Sequence, residues 1–202
     1  MKKLSVLILG CLLVLGCSQS PKKEFLPMVR DYQPLEWELT AYEQARKDIF
    51  PSDLQMQPKI YKNKLVNLVG IIKDIEFDQK FSNIVTITLE QKYWDYLEHH
   101  YSTPTIHLSS EGEGEFKFRY ELPYAIPQHI QAKMRVSVMR KDLGFVYGHL
   151  SGFENNIPIL SGKTLRVVHA MHYDSEHQHY IVKRNTHHQV ILQEGQVQFV
   201  YN

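Results

Sequence analysis

The sequence predicts a mainly β domain: a small closed or half-closed barrel of the OB type with a short N-terminal helix and a C-terminal β-hairpin, an immunoglobulin-like β-sandwich being the alternative. Three observations carry this expectation. Five or more short runs alternate apolar and polar residues between turn signals. One run, 64–77, is much longer and has Gly70 in its middle, where a strand serving both halves of a closed sheet must bend. A turn of helix after Pro127 interrupts the series of strands.

The domain is expected over residues 35–202. Thr40 and Glu43 have capping-box spacing, and Ala41, Tyr42, Ala45 and Ile49 then fall on one helical face up to Pro51. The run Leu65-Val66-Asn67-Leu68-Val69-Gly70-Ile71-Ile72 is apolar on both faces, and Asp78-Gln79-Lys80 begins a turn into a return strand over 84–90. There Val85, Ile87 and Leu89 share one face. Tyr93, Trp94, Tyr96, Leu97 and Tyr101 form the densest aromatic patch; without a run of flanking basic residues it reads as the rim of a core or an interface, with stacking on bases or sugars as the other possibility. Glu111-Gly112-Glu113-Gly114-Glu115 lacks calcium-loop spacing and reads as a solvated acidic turn.

In the strand over 116–122, Phe116, Phe118, Tyr120 and Leu122 face one way, while Lys117, Arg119 and Glu121 form a solvent face with cross-strand pairs. Residues 128–133 are expected to be the helical turn, and Met134, Val136 and Val138 to alternate through a strand. Asp142-Leu143-Gly144 then turns into a strand over 145–150, and Glu154-Asn155-Asn156 into strands over 157–160 and 164–169. The last strands, 180–183, 190–192 and 197–201, read as a terminal hairpin or an extra pair added to the barrel.

Upstream of the domain the chain changes character. Lys2 and Lys3 precede an almost wholly apolar stretch over 4–15, too short to span a bilayer, which takes about 20 residues. Residues 1–16 are therefore expected to be a signal peptide. Residues 17–34, polar and containing Pro21, Pro27 and Pro34, read as a tether. Val14-Leu15-Gly16-Cys17 resembles the lipobox of bacterial lipoproteins, which implies cleavage before Cys17 and lipid on its thiol. Cys11 would leave an apolar core of only 4–9, so Cys17 is the expected attachment site. Ser18, in place of aspartate, resembles the pattern of lipoproteins passed to the outer membrane, which implies the periplasmic face, or alternatively the cell surface.

Composition narrows the function. Hydrophobic residues make up 43% and charged residues 22%, as in a globular protein rather than a disordered one. With 23 basic against 22 acidic residues, two of the bases being Lys2 and Lys3, no field exists to attract nucleic acid. Once Cys11 leaves with the signal and Cys17 carries lipid, the folded part has no thiol for a disulfide, a metal or a nucleophile.

Six of the eleven histidines lie between His169 and His188. His177 and His179 share a strand face by spacing, with His172, Asp174 and Glu176 nearby, which makes metal binding or a pH response the alternative function; surface histidines beside a hairpin are the plainer reading. Gly162-Lys163-Thr164 lacks the upstream glycine of a phosphate loop, since Ile157 stands there. Ser151 is one place off a nucleophile elbow, and no H-E-x-x-H motif occurs. The chain is therefore expected not to be an enzyme, and neither a cofactor nor a metal ligand is assigned.

Taken together, the lipobox, the polar tether, Tyr61-Lys62-Asn63-Lys64 leading to Val69-Gly70-Ile71-Ile72, and Ile157-Pro158-Ile159-Leu160 followed by Leu165-Arg166-Val167-Val168-His169 resemble the Slp-type outer-membrane lipoproteins over roughly residues 58–170. The chain departs from them in its His-rich tail, in the aromatic insert around Trp94, and in Val168 where that family tends to carry tryptophan. The resemblance implies an OB-like barrel at the periplasmic side of the outer membrane, with no catalytic residues to transfer. The expected role is a structural or protein-binding module of the cell envelope, bound to the membrane through Cys17 and to an envelope protein through the barrel.

Overall fold

The computed structural model describes residues 34–94, 105–109, 111–138, 142–168, 172–174, 179–183, 188–193 and 195–201, the short strands at 105–109, 172–174 and 179–183 through their backbone pairing. The signal peptide, Cys17, the tether as far as residue 33, Tyr96, Leu97, Tyr101, His169, Glu176, His177 and His187 lie outside these residues. Helices α1 (Glu36–Gln44), α2 (Pro51–Met56) and α3 (Pro58–Tyr61) precede strands β1 (Leu65–Phe77), β2 (Ile84–Gln91), β3 (Thr105–Ser109) and β4 (Glu115–Glu121). Helix α4 (Gln128–Ser137) follows, then β5 (Leu143–Glu154), β6 (Ile157–Val168), β7 (His172–Asp174), β8 (His179–Lys183), β9 (His188–Gln193) and β10 (Gln196–Tyr201).

The protein is mainly β, and five strands close a ring in the order β1-β2-β4-β6-β5 and back to β1. The β4–β6 pair is parallel and the other pairs of the ring are antiparallel. A parallel pair needs a long crossover, and α4 with β5 supplies it. A closed five-stranded ring with a helix after its third strand fits the expected OB-like architecture.

Strand β1 does what its length and Gly70 predicted. It pairs with β5 over 65–71 and with β2 over 70–77, so the change of partner falls at Gly70 and Ile71. A β-carbon on Gly70 would lie 2.5 Å from the Glu90 carbonyl oxygen, a contact the neighbouring strand cannot accept without moving. Gly70→Ala is accordingly expected to destabilise by about 1–3 kcal/mol, the range for overpacking. Urea denaturation checks this, and an unchanged midpoint would refute the close approach.

A register shift between Ile72 and Asp74 adds one residue to β1. Before it Val66, Leu68 and Ile72 enter the main core; after it Ile75 does. The bulge thus resets the two-residue side-chain period and keeps the later half of the strand packed. The odd residues Leu65, Val69 and Ile71 enter a second core with Ala41 and Ala45 from the helical side, Trp94, Phe145 and Tyr147. With both faces covered, residues 65–72 are all buried, which is why that run reads as continuously apolar.

The first helix starts earlier than Thr40. Leu35 donates its N–H to Glu38 Oε2 at 3.2 Å, so the reaching-back carboxylate belongs to Glu38 rather than Glu43. Ala41 and Ala45 are buried as expected, but the helix ends at Gln44; Ile49 joins the main core, and Pro51 opens α2 instead of closing α1.

The strand expected through Met134, Val136 and Val138 is not formed, because Gln128–Ser137 is helical. Ile130, Met134 and Val138 stand four residues apart, and Met134 and Val138 are buried, whereas Val136 is 73% exposed. Two periods coexist in this short stretch, and burial selects the helical one.

The segments expected over 145–150, 157–160 and 164–169 merge into two long antiparallel strands, β5 and β6, which begin at Leu143 and end at Val168. Asn155 and Asn156 make the turn between them with φ of 50° and 66°, as a type I′ hairpin requires. The terminal hairpin is β9–β10, and β9 pairs with β6 to extend the sheet. Residues 180–183 are not part of it: β8 lies in a separate three-stranded sheet ordered β3-β8-β7.

Candidate functional site

The small sheet gathers residues that the sequence separates. Strand β3 pairs with β8 so that His107 faces Ile181 and Ser109 faces His179 across the ladder. Strand β7 pairs on the other side, His172 with Ile181 and Asp174 with His179. Since residues two apart share a face, the register sets His107, Ile181 and His172 in one row and Ser109, His179 and Asp174 in the next row of the same face of the sheet. Ile106, Leu108, Tyr173, Tyr180 and Val182 occupy the other. His172 and His179 fall on neighbouring strands of this sheet, His177 lies outside the described residues, and His107, on β3, comes from far upstream. Its only local signal was alternation within Thr105–Ser109; the pairing with β8 is long-range.

A second polar cluster is fully enclosed. Glu38 on α1 accepts a hydrogen bond from the Tyr147 hydroxyl at 2.6 Å and is ion-paired with Arg166 at 3.4 Å, with side chains 0% and 3% exposed for the acid and the base. Tyr147 and Arg166 lie on β5 and β6, on the face that α1 covers. The contacts clamp α1 to the ring.

The acidic turn at 111–115 is docked rather than merely solvated. Glu113 accepts hydrogen bonds from the hydroxyls of Tyr93, at 2.8 Å, and Ser52, and its N–H donates to Gln91 Oε1 at 2.6 Å. Of the aromatic patch, Tyr93 stands edge-on to Phe50, and Trp94 is buried edge-on against Phe145 with centroids 5.4 Å apart. Trp94 therefore serves the second core and offers no free ring face for stacking on a base or a sugar.

The polar face of the ring carries paired charges. Lys117 bridges to Glu154 at 3.0 Å, and Glu90 meets Lys92 at 2.7 Å and Lys73 at 3.3 Å. The Lys92 ammonium, hydrogen-bonded to Glu90, holds that carboxyl below its ordinary range.

The discarded motifs have structural duties. The Ser151 hydroxyl donates to the Ile159 carbonyl at 3.0 Å. Gly162 lies within β6, where a β-carbon would fall 2.2 Å from the Phe118 ring. Among the residues whose side chains are described, no group of three or more His, Cys, Asp or Glu could hold a metal ion.

Comparison with protein-family models and with curated proteins returns no match. The functional reading therefore rests on the residues themselves.

Proposed function

We propose that the chain is an outer-membrane lipoprotein, held at the periplasmic face through lipid on Cys17, whose ring acts as a structural or protein-binding module of the cell envelope, as the likeness to Slp-type lipoproteins implies. The carrying observation is the lipobox string Val14-Leu15-Gly16-Cys17 ahead of a folded region that contains no other cysteine. The architecture supports this reading: α1 begins two residues after Pro34 and is clamped to the ring by the Glu38–Arg166 pair, so a tether ending there meets a fixed point. Exposed apolar side chains, Met56 on α2, Ile60 on α3 and Phe153 on β5, offer contact points for a partner.

Growth with a radiolabelled fatty acid is expected to label the wild-type protein and leave Cys17→Ala unlabelled. Equal labelling of the two would refute the anchor. Crosslinking in intact cells tests the second half of the reading, which requires that an envelope protein be captured.

A further inference from the structure

We propose that the segment from the end of α2 through α3 to the start of β1, residues 55–64, lies on a bilayer surface with anionic headgroups, Met56 and Ile60 entering the headgroup layer and Lys59, Lys62 and Lys64 meeting lipid phosphates. The inference rests on the lipoprotein reading for what brings the chain to a membrane.

The segment is held on one side and open on the other. Leu54 is fully buried in the main core, and Tyr61 packs against that core. Gln55 donates its side-chain amide to the Asn156 carbonyl at 2.8 Å, which fixes α2 against the β5–β6 turn. The N–H groups of Ile60, Lys62 and Lys64 donate to the Gln57, Pro58 and Tyr61 carbonyls at 3.1, 3.0 and 3.0 Å, so the stretch is hydrogen-bonded along its length. On the open side Met56 is 62% and Ile60 53% exposed. Two large apolar side chains thus stand in solvent within one short, fixed stretch.

The charge around them selects the occupant. No acid stands between Asp53 and Asp74, although the whole chain is near balance with 23 basic and 22 acidic residues. Lys59, Lys62 and Lys64 are exposed and form no ion pair among the described residues. The nearby acids are already engaged: Asp53 accepts the Phe50 N–H at 3.0 Å, Glu154 is bridged to Lys117 at 3.0 Å, and Asp48 to Arg46 at 2.6 Å. Apolar side chains set among lysines suit a membrane interface, where the lysine stems lie in the apolar boundary and the ammonium groups stay at the headgroups. An acidic protein would match the charge equally well, and proximity decides for lipid. Residues 17–34, at about 3.3–3.6 Å each, hold the domain within about 60 Å of the bilayer that carries Cys17. The patch therefore meets that surface at a high effective concentration. On this reading the lysines orient the ring, and a protein partner uses its other faces.

The test uses the full lipidated protein carrying Asn63→Cys, an exposed position between Lys62 and Lys64, labelled with a polarity-sensitive dye and reconstituted into vesicles. In phosphatidylcholine containing phosphatidylglycerol the dye emission is expected to shift to the blue and to be quenched by brominated lipid; in phosphatidylcholine alone both effects should be lost. Combining Lys59→Gln, Lys62→Gln and Lys64→Gln should lower the ratio of docked to undocked chain about fivefold per lysine, roughly a hundredfold for all three. Raising the salt from about 0.1 M to about 1 M should act in the same direction, because the screening length falls from about 10 Å to about 3 Å. A dye at Val136→Cys, on the α4 helix that packs on β9, should report no difference between the two vesicles. Equal emission of the Asn63→Cys dye in the two vesicles, or a blue shift that survives the triple lysine variant, would overturn the proposal. So would a shift that appears only when envelope proteins are added, which would assign the face to a protein. Flotation separates this from the anchor: the triple variant should still float with phosphatidylcholine through Cys17. A wild-type chain that sinks there fails the anchor, and the patch then still requires flotation with the phosphatidylglycerol vesicles.

Discussion

Glu38→Ala is expected to destabilise the protein by about 3–5 kcal/mol, the usual consequence of removing one partner from a buried pair. Arg166 remains 3% exposed beneath α1, and its guanidinium loses the carboxylate 3.4 Å away. The Tyr147 hydroxyl loses its 2.6 Å acceptor at the same time. Glu38→Met combined with Arg166→Met should recover a large part of the loss, because neither charge then has to be desolvated. Urea unfolding of the two variants measures both effects. A loss below about 1 kcal/mol in the single variant would rank the pair with exposed salt bridges and contradict its burial.

Phe118→Ala is expected to have a comparable effect, about 3–5 kcal/mol, from lost burial and the cavity left behind. Phe118 is fully buried, stacks on Tyr120 with centroids 5.9 Å apart, and pairs across the parallel ladder with Leu160. The ring also sets the identity of its neighbour, since a β-carbon on Gly162 would lie 2.2 Å from the Phe118 ring. Gly162→Ala should therefore be more destabilising in the wild type than in the Phe118→Ala background. The double-mutant cycle reads this as a coupling energy, and strict additivity would show that the two positions do not share the space.

Much of the fold was legible because strand alternation reports burial directly. The outward and inward sets of β2 and β4 fall where the sequence puts them: Val85, Ile87, Leu89, Phe116, Phe118 and Tyr120 are buried. The helix α4 was half legible. Residues 130–138 satisfy both a two-residue and a four-residue apolar period, and only packing of Ile130, Met134 and Val138 against the main core chooses between them. The start of α1 was misplaced because no local pattern marks Glu38 for burial, which depends on an arginine that comes 128 residues later.

The candidate sites divide along the same line. Cys17 and its lipobox are a local string and need no fold to be read. His172, Asp174 and His179 were visible as neighbours in sequence, whereas His107 enters only because β3 pairs with β8.

The sequence by itself determined the mainly β class, the long bent strand around Gly70, the terminal hairpin and the absence of any thiol beyond Cys17, because each depends on residues within one turn or one strand. The tertiary structure alone decided the closure of the ring through the parallel β4–β6 pair, the burial of Glu38 against Arg166, and the pairing of β3 with β8. Those depend on contacts between distant segments, whose pairing is fixed by the burial of the whole core rather than by any local pattern.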